Sequence, residues 1–281
     1  LGTMEVFGYL RQLADYGVRG IMLTGGGEPT LHPGLPDVID ESVRLGLEVG
    51  LISNGARVTP DLARHVARGC TWARVSIDAG TPGQYQHTHG QWPAVFTLAW
   101  EAVATLARAR DEAGNRCTVG VGYLVDEVNA VGMSVAAMTA QQCGADYIQF
   151  RPFIGGEYQP DSRRLVEARR YETSRFRVLT SAPKYERLGM PRSYARCHGA
   201  EFTAVIAADA SVPLCCDLRG CPEWSCGSLR KDLFREIWEG QTRAELLRRQ
   251  TCETCPTLCR HDSLNETIER AIRPAQHGAF I

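Results

Sequence analysis

The sequence lacks an excess of either charge: 31 Lys and Arg stand against 32 Asp and Glu in 281 residues. No global field therefore draws the chain to nucleic acid or to an acidic membrane surface. Long apolar runs are also missing, and nothing approaches the ~20 residues that span a bilayer. No charged-then-apolar leader is visible. A cytoplasmic location, without nucleic-acid or membrane partners, is the expectation. Two phosphate-binding motifs are absent as well. There is no Gly-x-x-x-x-Gly-Lys-Ser/Thr, and Gly25-Gly26-Gly27 does not have the spacing of a dinucleotide fingerprint. What is present is enough apolar residue, 44%, to bury a barrel-sized core with an appendage, or two domains. The chain begins at Leu1, almost at once in a helical pattern; the expectation is a fragment whose N-terminal piece lies upstream.

Apolar strands alternate with amphipathic helices along the first half. Helical Val6 to Tyr16 precedes the strand Gly20 to Leu23, and helical Leu35 to Leu45 precedes Glu48 to Ile52, which ends in Ser-Asn-Gly. Helical Asp61 to Arg68, capped by Thr59-Pro60, precedes Ala73 to Asp78. A helix around Val95 to Arg110 leads to Thr118 to Val125, and helical Val131 to Cys143 leads to Tyr147 to Pro152. Repeated βα order implies a parallel sheet with helices outside, either open and doubly wound or a barrel. Polar residues and glycines gather at the strand C-terminal ends, the edge that carries the site in both architectures.

The sharpest such end is Thr24-Gly-Gly-Gly-Glu-Pro29. Glycines permit positive φ and let a ligand lie against bare backbone, while Pro29 ends strand pairing. A glycine after a strand is also an ordinary turn.

Eleven cysteines are spread unevenly. Cys70, Cys117 and Cys143 are scattered and read as small buried apolar residues. The other eight, Cys197, Cys215, Cys216, Cys221, Cys226, Cys252, Cys255 and Cys259, crowd the last third. After a long α/β region with no secretion signal, they favour metal or cluster ligation over disulfides.

Gly-Gly-Glu-Pro after a strand, then Ser-Asn-Gly, then Ser-Ile-Asp closing the following strand, resembles the radical S-adenosylmethionine (radical SAM) superfamily. The resemblance implies a partial (βα)6 TIM-like barrel over residues 1–190. It implies that Gly26, Gly27 and Glu28 hold the methionine ammonium group of the cofactor. Ser53, Asn54, Ser76 and Asp78 would lie near its ribose and carboxylate, with Gly120, Gln149 and Arg151 completing the carboxylate and adenine contacts; Arg151 could instead pair structurally with Glu28 or Asp78. A carboxylate suits an ammonium and an arginine fork suits a carboxylate. The family also binds a catalytic [4Fe-4S] cluster through Cys-x-x-x-Cys-x-x-Cys upstream of Gly-Gly-Glu-Pro. That motif is not in this sequence, and Cys252-x-x-Cys255-x-x-x-Cys259 has the reverse spacing. The expectation is either that the motif was lost with an N-terminal piece or that its loop is disordered without a cluster; a chain that truly lacked it could not cleave the cofactor reductively.

Residues 191–281 resemble the twitch domain, a shorter relative of the SPASM domain that carries one auxiliary [4Fe-4S] cluster. Strand-like Phe202 to Ile206, a turn at Asp209-Ala210 and strand-like Val212 to Leu214 would form a hairpin with Cys197 and Cys215-Cys216 at its ends. By the resemblance the ligands are Cys197, Cys215, Cys252 and Cys255; a structural zinc site of the same four would satisfy the same spacing. Cys215 and Cys216 compete for one place, because strand neighbours point to opposite faces.

The activity so implied is reductive cleavage of S-adenosylmethionine to a 5′-deoxyadenosyl radical that abstracts hydrogen from a substrate C–H, with flavodoxin or ferredoxin as electron donor. The spare cysteines tilt the reading to epimerisation by hydrogen-atom donation from a thiol. Cys226, expected in a short loop, is the first candidate, then Cys221 and Cys216. Oxidation of an alcohol by way of the auxiliary cluster, modification of a ribosomally made peptide, and a non-catalytic zinc module stay open. His87 and His89, in an expected loop Gly80 to Gly90, and Glu157 and Tyr158 are the substrate-contact candidates, a mixture suited to a polar, sugar-like molecule. The compact size resembles that of aminoglycoside-modifying members such as a butirosin-pathway dehydrogenase and neomycin epimerase, and that neighbourhood is the expectation.

Overall fold

A computed structural model describes residues 1–114, 117–153 and 157–272. The chain divides into two compact units. One comprises Gly2–Phe153 and Tyr158–Tyr185; the other is formed mainly by residues from Glu186 onward and includes Glu157.

The larger unit alternates strands and helices. Helix α1 (Thr3–Tyr16) leads to β1 (Gly20–Leu23), α2 (Leu35–Arg44) to β2 (Glu48–Ser53), and α3 (Pro60–Gly69) to β3 (Trp72–Ser76). Then α4 (Pro82–His89) and α5 (Pro93–Glu112) lead to β4 (Thr118–Val125), α6 (Met133–Gln142) to β5 (Tyr147–Pro152), and α7 (Ser162–Arg169) to β6 (Arg177–Thr180). A short α8 (Ala182–Glu186) follows. All six strands are parallel, in the order β1-β2-β3-β4-β5-β6. This is the α/β order that the βα alternation implies and, with neighbouring strands in sequential order, the partial barrel that the family resemblance implies, with β6 as a strand that the sequence reading left out.

Local signals explain the boundaries. Thr59 Oγ1 accepts the Leu62 N–H at 3.2 Å and Pro60 occupies the first turn of α3. Gly17, at φ 97°, closes α1 in the left-handed conformation, with its N–H on the Ala14 carbonyl and that of Val18 on the Leu13 carbonyl. The same Thr-Pro device starts α4: Thr81 Oγ1 accepts the Gln84 N–H at 3.3 Å. Gly80 to Gly90, expected as a loop, is therefore mostly helix.

Strand parity separates two faces. Val49, Leu51, Val75, Val119, Val121, Tyr123, Ile148 and Phe150 are buried in one apolar core with Ile39, Val66, Val103 and Ala136 of the helices. Each such aliphatic residue contributes roughly 1.5–3 kcal/mol on burial. The alternate residues, Gly50, Trp72, Arg74, Ser76, Gly120, Gly122, Tyr147, Gln149 and Arg151, belong to the opposite face of the sheet.

The smaller unit pairs β7 (Ser211–Pro213) with β8 (Ser225–Ser228), antiparallel, followed by α9 (Phe234–Glu239), α10 (Gln241–Arg249) and α11 (Asp262–Ile272). Two expectations are corrected. Phe202 to Ile206 is not a strand; β7 pairs with the segment that contains Cys226, which lies in a strand and not in a loop. The turn at Asp209-Ala210 does form, with Ala210 at φ 70° and Asp209 Oδ1 accepting the Ser211 N–H at 3.0 Å.

Candidate functional site

The glycine corner is built as a tight turn. A Cβ placed on Gly25 would stand 1.7 Å from the Gly27 carbonyl oxygen, so only glycine fits there, and Gly25 to Gly27 are exposed. Glu28 turns back over β2. Its Oε1 accepts from Thr30 N–H at 3.1 Å, Thr30 Oγ1 at 2.8 Å and Ser53 Oγ at 2.7 Å. Its Oε2 accepts the Asn54 N–H at 2.7 Å. Glu28 thus ties the ends of β1 and β2 together and caps the turn at Pro29–Leu31. A carboxylate has about four acceptor sites, and Oε2, with a single bond, retains room for a cation.

At the end of β3, Asp78 adopts φ 50°, uncommon for a residue with a side chain. Its Oδ1 accepts the Leu124 N–H at 2.6 Å, and its backbone carbonyl accepts Asn129 Nδ2 at 3.0 Å. Burial raises its pKa to about 6, against the lowering effects of the Leu124 N–H and of Arg151 and Arg74. His89 Nε2 lies 3.6 Å from Asp78 Oδ2. The imidazole stacks on the buried ring of Tyr85, centroids 4.2 Å apart, and burial lowers its pKa. His87, on the same helix, is exposed.

Further along the concave face, Arg74 Nη1 is 3.4 Å from Gln149 Oε1. A Cβ on Gly122 would stand 3.3 Å from Arg74 Cδ and 3.5 Å from Arg151 Nη2. Gly120 has a packing role: a Cβ there would strike the Tyr147 ring at 2.1 Å. The structure therefore brings Glu28, Ser53 and Asn54 into one hydrogen-bonded group and places Ser76, Gln149 and Arg151 on one face of the sheet, with Asp78 just past the end of β3. Arg74 was missed, although its i, i+2, i+4 relation to Ser76 and Asp78 marks it in the sequence. Tyr158 packs against the apolar core of the larger unit, whereas Glu157 is exposed and belongs to the smaller one.

In the smaller unit Cys197 and Cys252 are buried in one cluster, with Cys255 packed against it. Arg192 holds the Cys252 loop by its carbonyls, donating to Cys252 O at 2.8 Å, to Cys255 O at 3.2 Å and to Pro256 O, while its Nε meets Asp262 at 3.3 Å. Side-chain amides point at sulfur: Gln250 Nε2 donates to Cys255 Sγ at 3.1 Å and Asn265 Nδ2 to Cys197 Sγ at 3.7 Å. Asn265 also accepts the Gly199 N–H at 2.8 Å, and the His261 ring occupies the space of a Gly199 side chain. Burial raises the Cys252 thiol to about 12, with Cys255 and Cys197 adding to the effect. Cys215 and Cys216 interact: the Cys216 thiol and the amides of Asp217 and Leu218 lower the pKa of Cys215, and that of Cys216 is raised. Cys226 is buried, Cys221 half-buried, and Cys259, outside the expected set, lies within electrostatic reach of Cys255. Three clustered thiols, two of them with an amide N–H aimed at sulfur, are a donor set that fits an iron-sulfur cluster. Among the described residues no three His, Cys, Asp or Glu converge as a single metal ion requires. Cys70 and Cys117 are buried, and burial raises the pKa of both.

Comparison with known proteins agrees with this architecture. Residues 3–130 match the radical SAM superfamily, and residues 197–260 match SPASM, an iron-sulfur cluster-binding domain. The chain is 32% identical over 141 residues to a PqqA peptide cyclase of Streptomyces rochei, covering 50% of this chain and 36% of that protein. It is 24% identical over 274 residues to an AdoMet-dependent heme synthase of Methanosarcina barkeri, covering 89% of this chain and 75% of that protein. Streptococcus suis SuiB superposes with a TM-score of 0.62 at 14% identity, over 86% of this chain and 60% of SuiB. The anSMEcpe structure with bound AdoMet gives 0.58 at 14% identity, over 88% and 74% of the two chains.

Proposed function

From a chain whose residues 3–130 match the radical SAM superfamily and whose residues 197–260 match a SPASM iron-sulfur domain, we propose an enzyme in which a 5′-deoxyadenosyl radical takes a hydrogen atom from a C–H bond of a polar, sugar- or aminoglycoside-like small molecule, becoming 5′-deoxyadenosine, and a cysteine thiol gives a different hydrogen atom to the opposite face of the substrate radical, inverting its configuration. Residues 1–190 would hold S-adenosylmethionine and residues 191–281 an auxiliary [4Fe-4S] cluster. When bound beside a reduced catalytic [4Fe-4S] cluster, S-adenosylmethionine supplies a carbon radical able to attack an unactivated C–H bond.

The observation that carries the reading is the Glu28 corner. Gly26 and Gly27 present bare backbone, Glu28 Oε2 accepts one N–H and has room for an ammonium, and Ser53 and Asn54 fix the carboxylate in place. Ser76 and Asp78 would take ribose hydroxyls, and Gln149 and Arg151 the cofactor carboxylate and adenine. With a pKa of about 6, Asp78 is mostly ionised at neutral pH and accepts hydrogen bonds. His89, whose pKa burial lowers, can accept a proton or orient a hydroxyl.

Cys197, Cys252 and Cys255 would ligate the auxiliary cluster together with Cys215, whose pKa is the lowered one of the Cys215–Cys216 pair. Cys226 is the first candidate for hydrogen-atom donor, with Cys221 and Cys216 behind it. A low-potential donor such as flavodoxin or ferredoxin would supply the electron. No described helix is long and apolar enough to cross a membrane. Peptide modification is the second reading, favoured by the 32% identity to a peptide cyclase over half of the chain.

The test is turnover of candidate aminoglycosides in deuterated water by the anaerobically reconstituted protein, with Cys226→Ala beside it. Epimerisation by the thiol predicts 5′-deoxyadenosine and solvent deuterium at one product carbon, and no deuterated product from the variant. A carbonyl product without deuterium would replace epimerisation by alcohol oxidation. Bound zinc with no cofactor cleavage would sink the enzyme reading.

A further inference from the structure

We infer that Arg74 marks an anion subsite on the concave face of the larger unit, one that takes a carboxylate or phosphate group of the substrate; this rests on reading that face as a radical SAM substrate side. Arg74 stands in mid-strand on β3 with neutral partners. Nη1 is 3.4 Å from Gln149 Oε1, the guanidinium meets the Tyr147 hydroxyl, and the buried Nε has no acceptor. Among the described residues no carboxylate pairs with it. Asp78, on the same edge, feels its charge but lies against His89.

A guanidinium is always charged and offers five N–H donors in a plane. Arg74 is half-buried, and its Nε is shut off from water with no acceptor; removing an N–H from water without an acceptor is costly. A bound anion would supply both the missing charge and the missing acceptors, and the guanidinium fork matches carboxylate and phosphate oxygens two at a time.

The neighbouring residues leave space for it. Gly122 presents no side chain between Arg74 and Arg151. On the side towards the strand starts, the Trp72 and Tyr147 rings fill the places of side chains at Gly50 and Gly120, where a Cβ would come within 2.3 and 2.1 Å. The Trp72 ring also lies 5.7 Å from the Arg74 guanidinium carbon, within cation–π range. Towards the strand ends lie the hydroxyl of Ser76, then Asp78 and His89. A substrate with a hydroxylated body at that rim and an acidic group reaching Arg74 fits this order. A polycation would set like charges together, so within the proposed substrate class the inference favours an acidic, sugar-like molecule over a polycationic aminoglycoside.

The experiment is calorimetric titration of the full-length reconstituted protein with inorganic pyrophosphate and with malonate, in wild type, Arg74→Gln and Arg74→Lys. S-adenosylmethionine affinity is measured in parallel by equilibrium dialysis. The expected result is that at least one probe binds wild type, about tenfold or more weakly to Arg74→Gln, with partial recovery in Arg74→Lys and cofactor affinity within about twofold. No probe binding by wild type, or equal binding by Arg74→Gln, overturns the subsite. An equal loss of cofactor affinity also overturns it, because the anion would then be the cofactor's own carboxylate. Probe binding by a wild type that binds no S-adenosylmethionine removes the radical SAM reading and leaves the anion site standing.

Discussion

In the larger unit Arg74, Ser76, Gln149 and Arg151 are set by strand parity, Arg74 and Gln149 paired to neighbouring strands on both sides and Ser76 and Arg151 on one. In the smaller unit Cys197, Cys252 and Cys255 lie outside any strand, and Arg192, Gln250 and Asn265 hold them by bonds to carbonyls and sulfur. The difference separates two kinds of pre-organisation. A parallel sheet fixes side-chain direction with or without ligand, because the backbone ladder and the apolar core behind it are formed independently. A loop held by a few side-chain bonds draws its remaining order from what its thiols bind, since cluster affinity is then part of folding free energy.

The largest expected effect follows from that contrast. Cys252→Ala should remove one auxiliary cluster, about four iron atoms per chain, and abolish the thermal transition of the smaller unit while leaving that of the barrel in place. Cys216→Ala should leave iron content unchanged. Iron analysis and calorimetry check both. Full iron retention in Cys252→Ala, or a loss in Cys216→Ala equal to that in Cys215→Ala, would break the assignment.

A smaller effect is expected at Asp78. Its pKa is raised from 3.8 to about 6 by burial, so the folded state holds this proton more tightly than the unfolded chain. Its share of stability is full below about pH 4 and is lost as pH rises through about 6, at most about 3 kcal/mol. His89, with a lowered pKa, acts in the opposite sense as pH rises towards 6.5. The readout is therefore the difference between wild type and Asp78→Asn in urea unfolding. Relative to the variant, wild type should lose stability between pH 4 and 7; parallel curves would show that Asp78 is not shifted.

The two units also differ in how legible they were in the sequence. Five strands and the helices between them followed from periodicity and capping signals, because such elements declare themselves over five to twenty residues. The corner Gly26-Gly27-Glu28 with Ser53-Asn54 was legible for the same reason, being the ends of strands. Thr81-Pro82 carried the helix-start signal already used at Thr59-Pro60, but the segment reads as the loop that follows β3. Arg74 was passed over because it sits inside an apolar strand, where only parity with Ser76 reveals its face. The pairing of β7 with the Cys226 strand could not be read, since Cys226-Gly-Ser228 has no strand periodicity and its partner is fixed by tertiary packing. The amides aimed at sulfur, Gln250 and Asn265, carry no sequence signal.

The central claim is that Glu28 closes an ammonium site for S-adenosylmethionine. Its most direct test is the dissociation constant for S-adenosylmethionine of the reconstituted protein against Glu28→Gln, with circular dichroism to confirm that the variant, which keeps its shape and one acceptor for Ser53 and Thr30, is folded. Losing a charge-assisted bond predicts about 10- to 100-fold weaker binding. Equal affinity in a folded Glu28→Gln protein, or no binding by wild type, would contradict it.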